Sequence, residues 1–254
     1  MIAIAAVLAA VVAIAARYAG ALSRSGSIAA FAVGTIVMGT VGWAGAAVLF
    51  AFFIPSTLLS RIGRARKRAL RTAGKLGARD AWQVLANGGV ATLAALGAFY
   101  FGPVFAAAFA GAFAAASADT WGTEIGTLVR GMPRSIVTLK PIATGLSGGV
   151  TFAGTCASVA GAAFVALVAY VTHVAPFVPV AIAGVTGALL DSVLGGGLQA
   201  LRWCPACAME CETSPHDCGA PTTLRRGLAW LENDAVNLSA TLCGALVAAL
   251  WARY

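Results

Sequence analysis

Every second connection in this chain is basic, while the connections between them carry almost no charge. Apolar stretches run approximately over residues 2–16, 28–41, 43–59, 82–101, 103–126, 145–171, 178–200 and 235–252. The segments 17–27, 60–81, 127–144 and 201–234 hold 2, 8, 3 and 3 Lys and Arg, which is 16 of the 17 in the chain. With eight spans, all four segments fall on one side; one miscounted span would split them between sides. Basic loops are retained in the cytoplasm. The pattern therefore predicts cytoplasmic loops and external termini, in a membrane of the prokaryotic cytoplasmic type. Asp80, Asp119, Glu124, Asp191, Glu232 and Asp234 lie in or beside the same ends of the spans.

A chain of 254 residues that is 60% hydrophobic and 10% charged has more apolar surface than a soluble domain of this size can bury. We expect one all-α, polytopic membrane domain over residues 1–254, with about eight transmembrane helices. Abundant Ala and Gly permit the close helix approach by which helices associate in lipid. The net charge of +8 lies in loops flanking spans, which argues against nucleic acid as a partner. Met1 to Ala16 lacks a basic leading region, so it reads as a first transmembrane helix rather than a signal peptide. The second and third spans, parted by Gly39-Thr40-Val41-Gly42, could instead be one broken hairpin.

The fifth span ends in Ser117-Ala118-Asp119-Thr120-Trp121-Gly122-Thr123-Glu124-Ile125-Gly126-Thr127. If its helix starts after Pro103, Asp119 lies about 24 Å along it at 1.5 Å per residue, still inside the bilayer. An ionisable group at that depth normally faces a partner or a wet cavity. The bland alternative is a boundary acid at a helix end; the Thr, Glu and small neighbours favour a site. Asp80, Gln83 and Asn87 form a polar stripe entering the fourth span, and Asp191 and Gln199, with Ser192 next to the acid, share a face of the seventh. Gly195, Gly196 and Gly197 would let another backbone approach there, as a broken helix at a ligand site does. Asn233, Asp234 and Asn237 open the last span, where an acid also suits the helix dipole.

Two loops carry separate signals. In the segment from Arg61 to Arg79, Arg61, Arg64, Arg68, Arg71 and Lys75 share one helical face, which fits an orientation signal on anionic lipid or a surface helix that attracts phosphorylated substrates. The loop 203–219 holds Cys204-Pro205-Ala206-Cys207 followed by His216-Asp217-Cys218. Three thiolates and an imidazole suit tetrahedral Zn2+ and leave no open position, so this metal would fold the loop rather than do chemistry. Free thiols are the alternative, and Cys211 is a spare that could replace a ligand. No G-x4-GK[ST], HExxH or GxSxG is present, and with two histidines in the chain, His173 outside and His216 a metal ligand, histidine acid–base chemistry is disfavoured.

Taken in order, the motifs Arg79-Asp80…Gln83…Asn87-Gly88-Gly89, Ser117-Ala118-Asp119-Thr120…Glu124-Ile125-Gly126, Gly187…Asp191-Ser192…Gly195…Gln199 and Asn233-Asp234…Val236-Asn237 resemble an integral membrane family. It includes plant phytyl-phosphate kinase and human transmembrane protein 19. The resemblance runs from about Gly26 to Tyr254, and the cysteine–histidine loop resembles prokaryotic members. It implies phosphoryl transfer from a nucleoside triphosphate to a prenyl monophosphate (phytyl, geranylgeranyl or farnesyl phosphate) to give the diphosphate. Such transfer needs positioning and charge neutralisation rather than covalent help. Asp119, Glu124, Asp191 and Asp234 would hold Mg2+, which prefers oxygen ligands. Arg79, Lys140 and Arg202 would balance the phosphates. Asp80, Gln83, Asn87, Ser117, Thr120, Ser192, Gln199, Asn233 and Asn237 would complete the substrate site. An ion-coupled transporter using Asp119 and Asp191, or another lipid-headgroup transferase, are the competing expectations.

Overall fold

A computed structural model describes residues 2–63, 77–129 and 131–252, and it is mostly helical. Eight helices occur among these residues: α1 (Ile2–Tyr18), α2 (Arg24–Thr40), α3 (Gly42–Arg61), α4 (Ala81–Phe101), α5 (Pro103–Leu128), α6 (Phe152–Val171), α7 (Phe177–Gly197) and α8 (Asn233–Trp251). α3 to α8 are each long and apolar enough to cross a membrane, and α1 is a shorter apolar helix. The second and third spans are distinct helices, parted at Gly42, whose positive φ of 74° makes the turn. The surface helix expected over the Arg61–Arg79 segment falls mainly on residues 64–76, outside those described.

The packing is inverted relative to a soluble protein. On α1 the buried face is Ala5, Ala9, Ala13 and Ala16, while Ile2, Ile4, Val7, Val11 and Ile14 point outward. Lipid is as apolar as leucine, so large side chains gain nothing by turning inward, and small ones let backbones touch. α5 takes this furthest. Every residue from Ala107 to Ala118 is buried, and the helix packs against α3, α4, α6, α7 and α8. A Cβ on Gly111 would come 2.5 Å from the Gly244 carbonyl oxygen of α8, and one on Gly244 would come 2.6 Å from that of Gly111. Phe109 and Phe113 are the bulky exceptions on α5, edge-to-face at 5.3 Å, with Phe52 of α3 stacked on Phe113 at 5.6 Å.

Two departures from the sequence expectation matter for function. The sixth helix begins at Phe152 rather than near residue 145, with the Thr151 hydroxyl accepting from the Gly154 N–H at 3.0 Å. Gly145 and Gly148 hold φ of +95° and +77°, backbone that cannot continue a right-handed helix. Residues 145–150 instead form a loop whose short strand β2 (Gly149–Val150) pairs with β1 (Arg134–Ser135). The loop after α7 is also more than a metal knuckle: β3 (Leu201–Cys204), β4 (Met209–Cys211) and β5 (Thr223–Arg226) make an antiparallel sheet in the order β4-β3-β5.

A candidate metal–phosphate cavity

A cavity of about 880 Å3 opens at one end of the bundle, and all four basic segments contribute to its walls or lie beside it. Gly20 and Ala21 come from the α1–α2 turn, Gly77 to Arg79 from before α4, Gly145 to Val150 from before α6, and Glu212 to Pro215 from the β4–β5 connection. This is the one-sided geography that the charge pattern predicted.

Arg79 is fixed by its backbone. Its N–H donates to the Ala21 carbonyl at 3.0 Å and its carbonyl accepts from the Ser23 N–H at 3.0 Å. Gly26 makes this possible, because a Cβ there would land on the Arg79 carbonyl oxygen. The guanidinium lies over the Phe52 ring, 5.9 Å from its centroid. Burial draws it below its usual range, opposed by the charge of Glu124. Asp80 next door is a helix cap: its carboxylate accepts from the Gln83 N–H at 2.9 Å, and the Gln83 side-chain oxygen accepts from the Asp80 N–H at 3.1 Å. Gln83 and Asn87 line the cavity and Asp80 does not.

The four acids singled out from the sequence, Asp119, Glu124, Asp191 and Asp234, all line this cavity, with Thr120, Ser192, Asn233 and Asn237 beside them. The side chains of Asp119 and Asp191 lie close enough to interact with each other, and Thr123 is a further neighbour of Asp119. Asp191 Oδ2 is buried with no donor among the described residues. Glycines bring the helices that close: Gly122 and Gly126 of α5 face Ser158, Thr151 and Gly154 of α6, leaving no room for side chains between them.

Glu212, Asp217 and Glu232 also line the cavity, so seven of the chain's nine carboxylates meet in one space. Arg79 is the single cationic side chain lining it among the described residues. Of the other two expected cations, Lys140 is exposed on the β1–β2 connection, and Arg202 pairs with Glu232 at 3.4 Å and donates to the Ala229 carbonyl at 3.2 Å. Ser117 and Gln199 also stand behind the walls. Ser117 is fully buried in α5, and the Gln199 amide donates to Glu212 at 3.1 Å.

Glu212 is the residue that sequence reasoning missed. Its carboxylate accepts from the Ser147 N–H at 2.6 Å and the Ser147 hydroxyl at 2.8 Å. Burial pushes its carboxyl up, against the opposing pull of Ser147, Arg226 and Gln199. It thereby pins the glycine loop, whose Gly148 rests on the Gly196 backbone of α7 with no space for a Cβ. Gly195 and Gly196 of α7 thus admit another backbone, while Gly197 meets only the Val137 side chain, and the helix continues unbroken through Gly197.

Beyond Glu212, Cys204, Cys207, His216 and Cys218 place their ligand atoms within 4.8 Å of one another, close enough to share a metal ion. Cys204 and Cys218 Sγ are 3.6 Å apart, and His216 Nδ1 is 3.1 Å from Cys218 Sγ. Two sulfurs each about 2.3 Å from one tetrahedral zinc stand roughly 3.8 Å apart, so the spacing fits. His216 hydrogen-bonds Cys218 and holds its thiol down at about 6, whereas the hydrogen bond to Cys218 is the main reason Cys207 is pushed up to about 11. Cys211 stands outside this set, its thiol directed to the Thr213 carbonyl at 3.8 Å.

Comparison with known proteins identifies the group. Residues 7–245 match the family described as integral membrane protein DUF92. The chain belongs to that family. Protein PGR of Arabidopsis thaliana is 32% identical over 213 residues, covering 72% of this chain and 74% of its own length. Uncharacterized membrane protein MJ0933 of Methanocaldococcus jannaschii is 27% identical over 231 residues, 90% of this chain and 85% of its own. Uncharacterized membrane protein sll0875 of Synechocystis is 28% identical over 228 residues, 86% and 78% of the two chains. No solved structure matches. The DUF92 assignment agrees with the family that the four motifs indicated.

Proposed function

We propose that this DUF92 protein is a membrane-embedded kinase that moves a phosphoryl group from a nucleoside triphosphate to a prenyl monophosphate. The observation that carries the reading is the gathering of seven carboxylates in one cavity of a chain whose net charge is +8. Phosphates would be repelled from such a space unless divalent cations occupied it first. Asp119 and Asp191 fit that requirement: when both are ionised neither can donate to the other, so the pair calls for a cation between them. Asp119, Glu124, Asp191 and Asp234 would hold Mg2+, with Asn233, Asn237 and Ser192 as neutral oxygen donors beside them. Bound there, Mg2+ neutralises the charge on the transferring phosphates.

The chain's own part is placement. Arg79 supplies the fixed positive charge, and Asn87 and Gln83 orient the acceptor phosphate from α4. An oxygen of the prenyl monophosphate attacks the terminal phosphorus of the triphosphate and forms the new P–O bond. The bond from that phosphorus to its bridging oxygen breaks, and the nucleoside diphosphate leaves with the electron pair. A phosphate monoester oxygen is already nucleophilic at neutral pH, so the absence of a histidine from the cavity lining is no obstacle. The Cys204/Cys207/His216/Cys218 cluster would hold structural Zn2+. The cavity would face the cytoplasm, where nucleotide is found, in keeping with its basic surroundings.

A carrier reading has less support. Polar groups collect at one end, while the other half of α5 is sealed by buried alanines around Phe109 and Phe113. The deciding assay supplies purified protein with farnesyl, geranylgeranyl and phytyl phosphates against four nucleoside triphosphates, with and without Mg2+. Mg2+-dependent appearance of a prenyl diphosphate is expected; no transfer with any pair would defeat the proposal. Labelling of a Thr138→Cys variant in intact cells checks orientation, and modification from outside would reverse it.

A further inference from the structure

Alongside the polar cavity lies a second space of about 180 Å3, an apolar groove among α1, α2, α3 and α4. The two share three residues, Arg79, Gln83 and Asn87. Apart from the Trp43 indole N–H at the far end, these are also the groove's hydrogen-bonding or charged side chains; the remaining lining is aliphatic, aromatic, methionine or glycine. Leu8 to Ala16 on α1 and Ala30 to Met38 on α2 both border it, a run of about 12 Å at 1.5 Å per residue. The groove thus descends from Arg79 toward Trp43 at the far turn, with Phe52 and Phe53 at its mouth.

We infer that this groove holds the isoprenoid tail of the lipid whose phosphate occupies the polar cavity, with Arg79, Gln83 and Asn87 at the junction of head and tail. The inference rests on the proposed function for the headgroup and adds where the tail goes and what measures it. An ordinary lipid-facing crevice has no reason to end on an arginine that another cavity shares. Burying that cation against Phe52 is tolerable if an anionic headgroup lies beside it. Aromatic and branched walls match a methyl-branched chain; because the tail comes from lipid rather than water, its selection rests on packing and shape. Distance from Arg79 then becomes a ruler: Ala30 is near the mouth and Met38 near the floor.

The test uses the full chain in nanodiscs with a farnesyl monophosphate analogue that carries a diazirine on its terminal isoprene unit. Photolabel should fall on Leu8, Val12, Met38 or Trp43 and be displaced by unmodified farnesyl phosphate. Label spread equally over the outward-facing Ile4, Val11 and Leu246 would overturn the inference. So would equal, undisplaced labelling of the groove by a diazirine phosphatidylcholine, which would make it a bulk-lipid crevice. Ala30→Phe should weaken displacement by geranyl and geranylgeranyl phosphates alike, about tenfold. Met38→Trp should weaken geranylgeranyl phosphate about tenfold and geranyl phosphate less than twofold. Equal effects of the two substitutions on both chains would also count against it, and the label map of the unaltered protein is informative even if a variant misfolds. Displaceable groove labelling in a protein that transfers no phosphate would uphold the tail site while defeating the kinase reading.

Discussion

The carboxylate cavity and the cysteine–histidine cluster share one end of the molecule but gather their ligands in opposite ways. The cluster takes all four ligands from one short segment, Cys204 to Cys218, and a β-hairpin brings them together. The cavity takes its acids from α5, α7, α8 and its N-cap, and the β4–β5 connection, residues up to 115 positions apart in the chain between Asp119 and Asp234. A local set of soft donors closes around a metal without help from the rest of the fold, and leaves it no vacant position. A dispersed set of hard donors exists only when the whole bundle is assembled, and its size leaves room for substrates. Closed and local suits structure; open and assembled suits chemistry.

That contrast can be broken at either site. Asp119→Asn and Asp191→Asn keep side-chain size and remove charge, so each should cut Mg2+-dependent transfer by roughly a thousandfold or more, the scale expected when transition-state charge loses its neutralising group. Circular dichroism and thermal unfolding should stay close to the parent. Turnover near the parental rate would remove the acids from catalysis. A Cys204→Ser/Cys207→Ser double variant should lose about one zinc per chain by metal analysis and slow transfer about 10- to 100-fold, the range for changes one step removed from a site. Unchanged zinc content would refute the ligand set, and a transfer loss as deep as that of Asp119→Asn would erase the distinction between the two sites.

Glu212→Gln sharpens the link between them. Weakening charge-assisted hydrogen bonds to Ser147 should cost about 1.5–3 kcal/mol locally and slow transfer about tenfold while zinc stays bound. Loss of zinc in that variant would make Glu212 part of the cluster's fold and not a tether. The smallest effect is expected from Lys140→Ala, less than twofold in rate, because Lys140 is exposed and away from the cavity lining. A large effect there would mean that the β1–β2 connection folds onto the substrate.

Much of this was readable before any coordinates. Charge placement fixed the one-sided arrangement, since 16 cations in four segments admit few topologies. Asp119, Asp191 and Asp234 stood out because an acid in or at the end of an apolar span carries a penalty that calls for a partner, and the three line one cavity. The misses have physical reasons too. Asp80 looked like a ligand because a capping box and a polar stripe have the same spacing, and only geometry separates them. Lys140 and Arg202 were grouped with Arg79 by sign alone, although a loop charge can point anywhere. Glu212 was invisible because it sits among cysteines in a loop, and its partner Ser147 is 65 residues away. The start of α6 was set too early because Gly145 and Gly148 read as apolar, when their backbone freedom is what builds the loop.

The unbroken burial of Ala107 to Ala118 limits how this protein can change over generations. Five helices pack against α5, so a gain in volume at Gly111 cannot be absorbed by one neighbour rotating away. A saturation scan should find the middle of α5 restricted to Ala, Gly and Ser everywhere except Phe109 and Phe113, while the outward positions of α1 accept almost any hydrocarbon side chain. Related chains are therefore free to drift on the surface that meets lipid, and held nearly still along one axis through the centre.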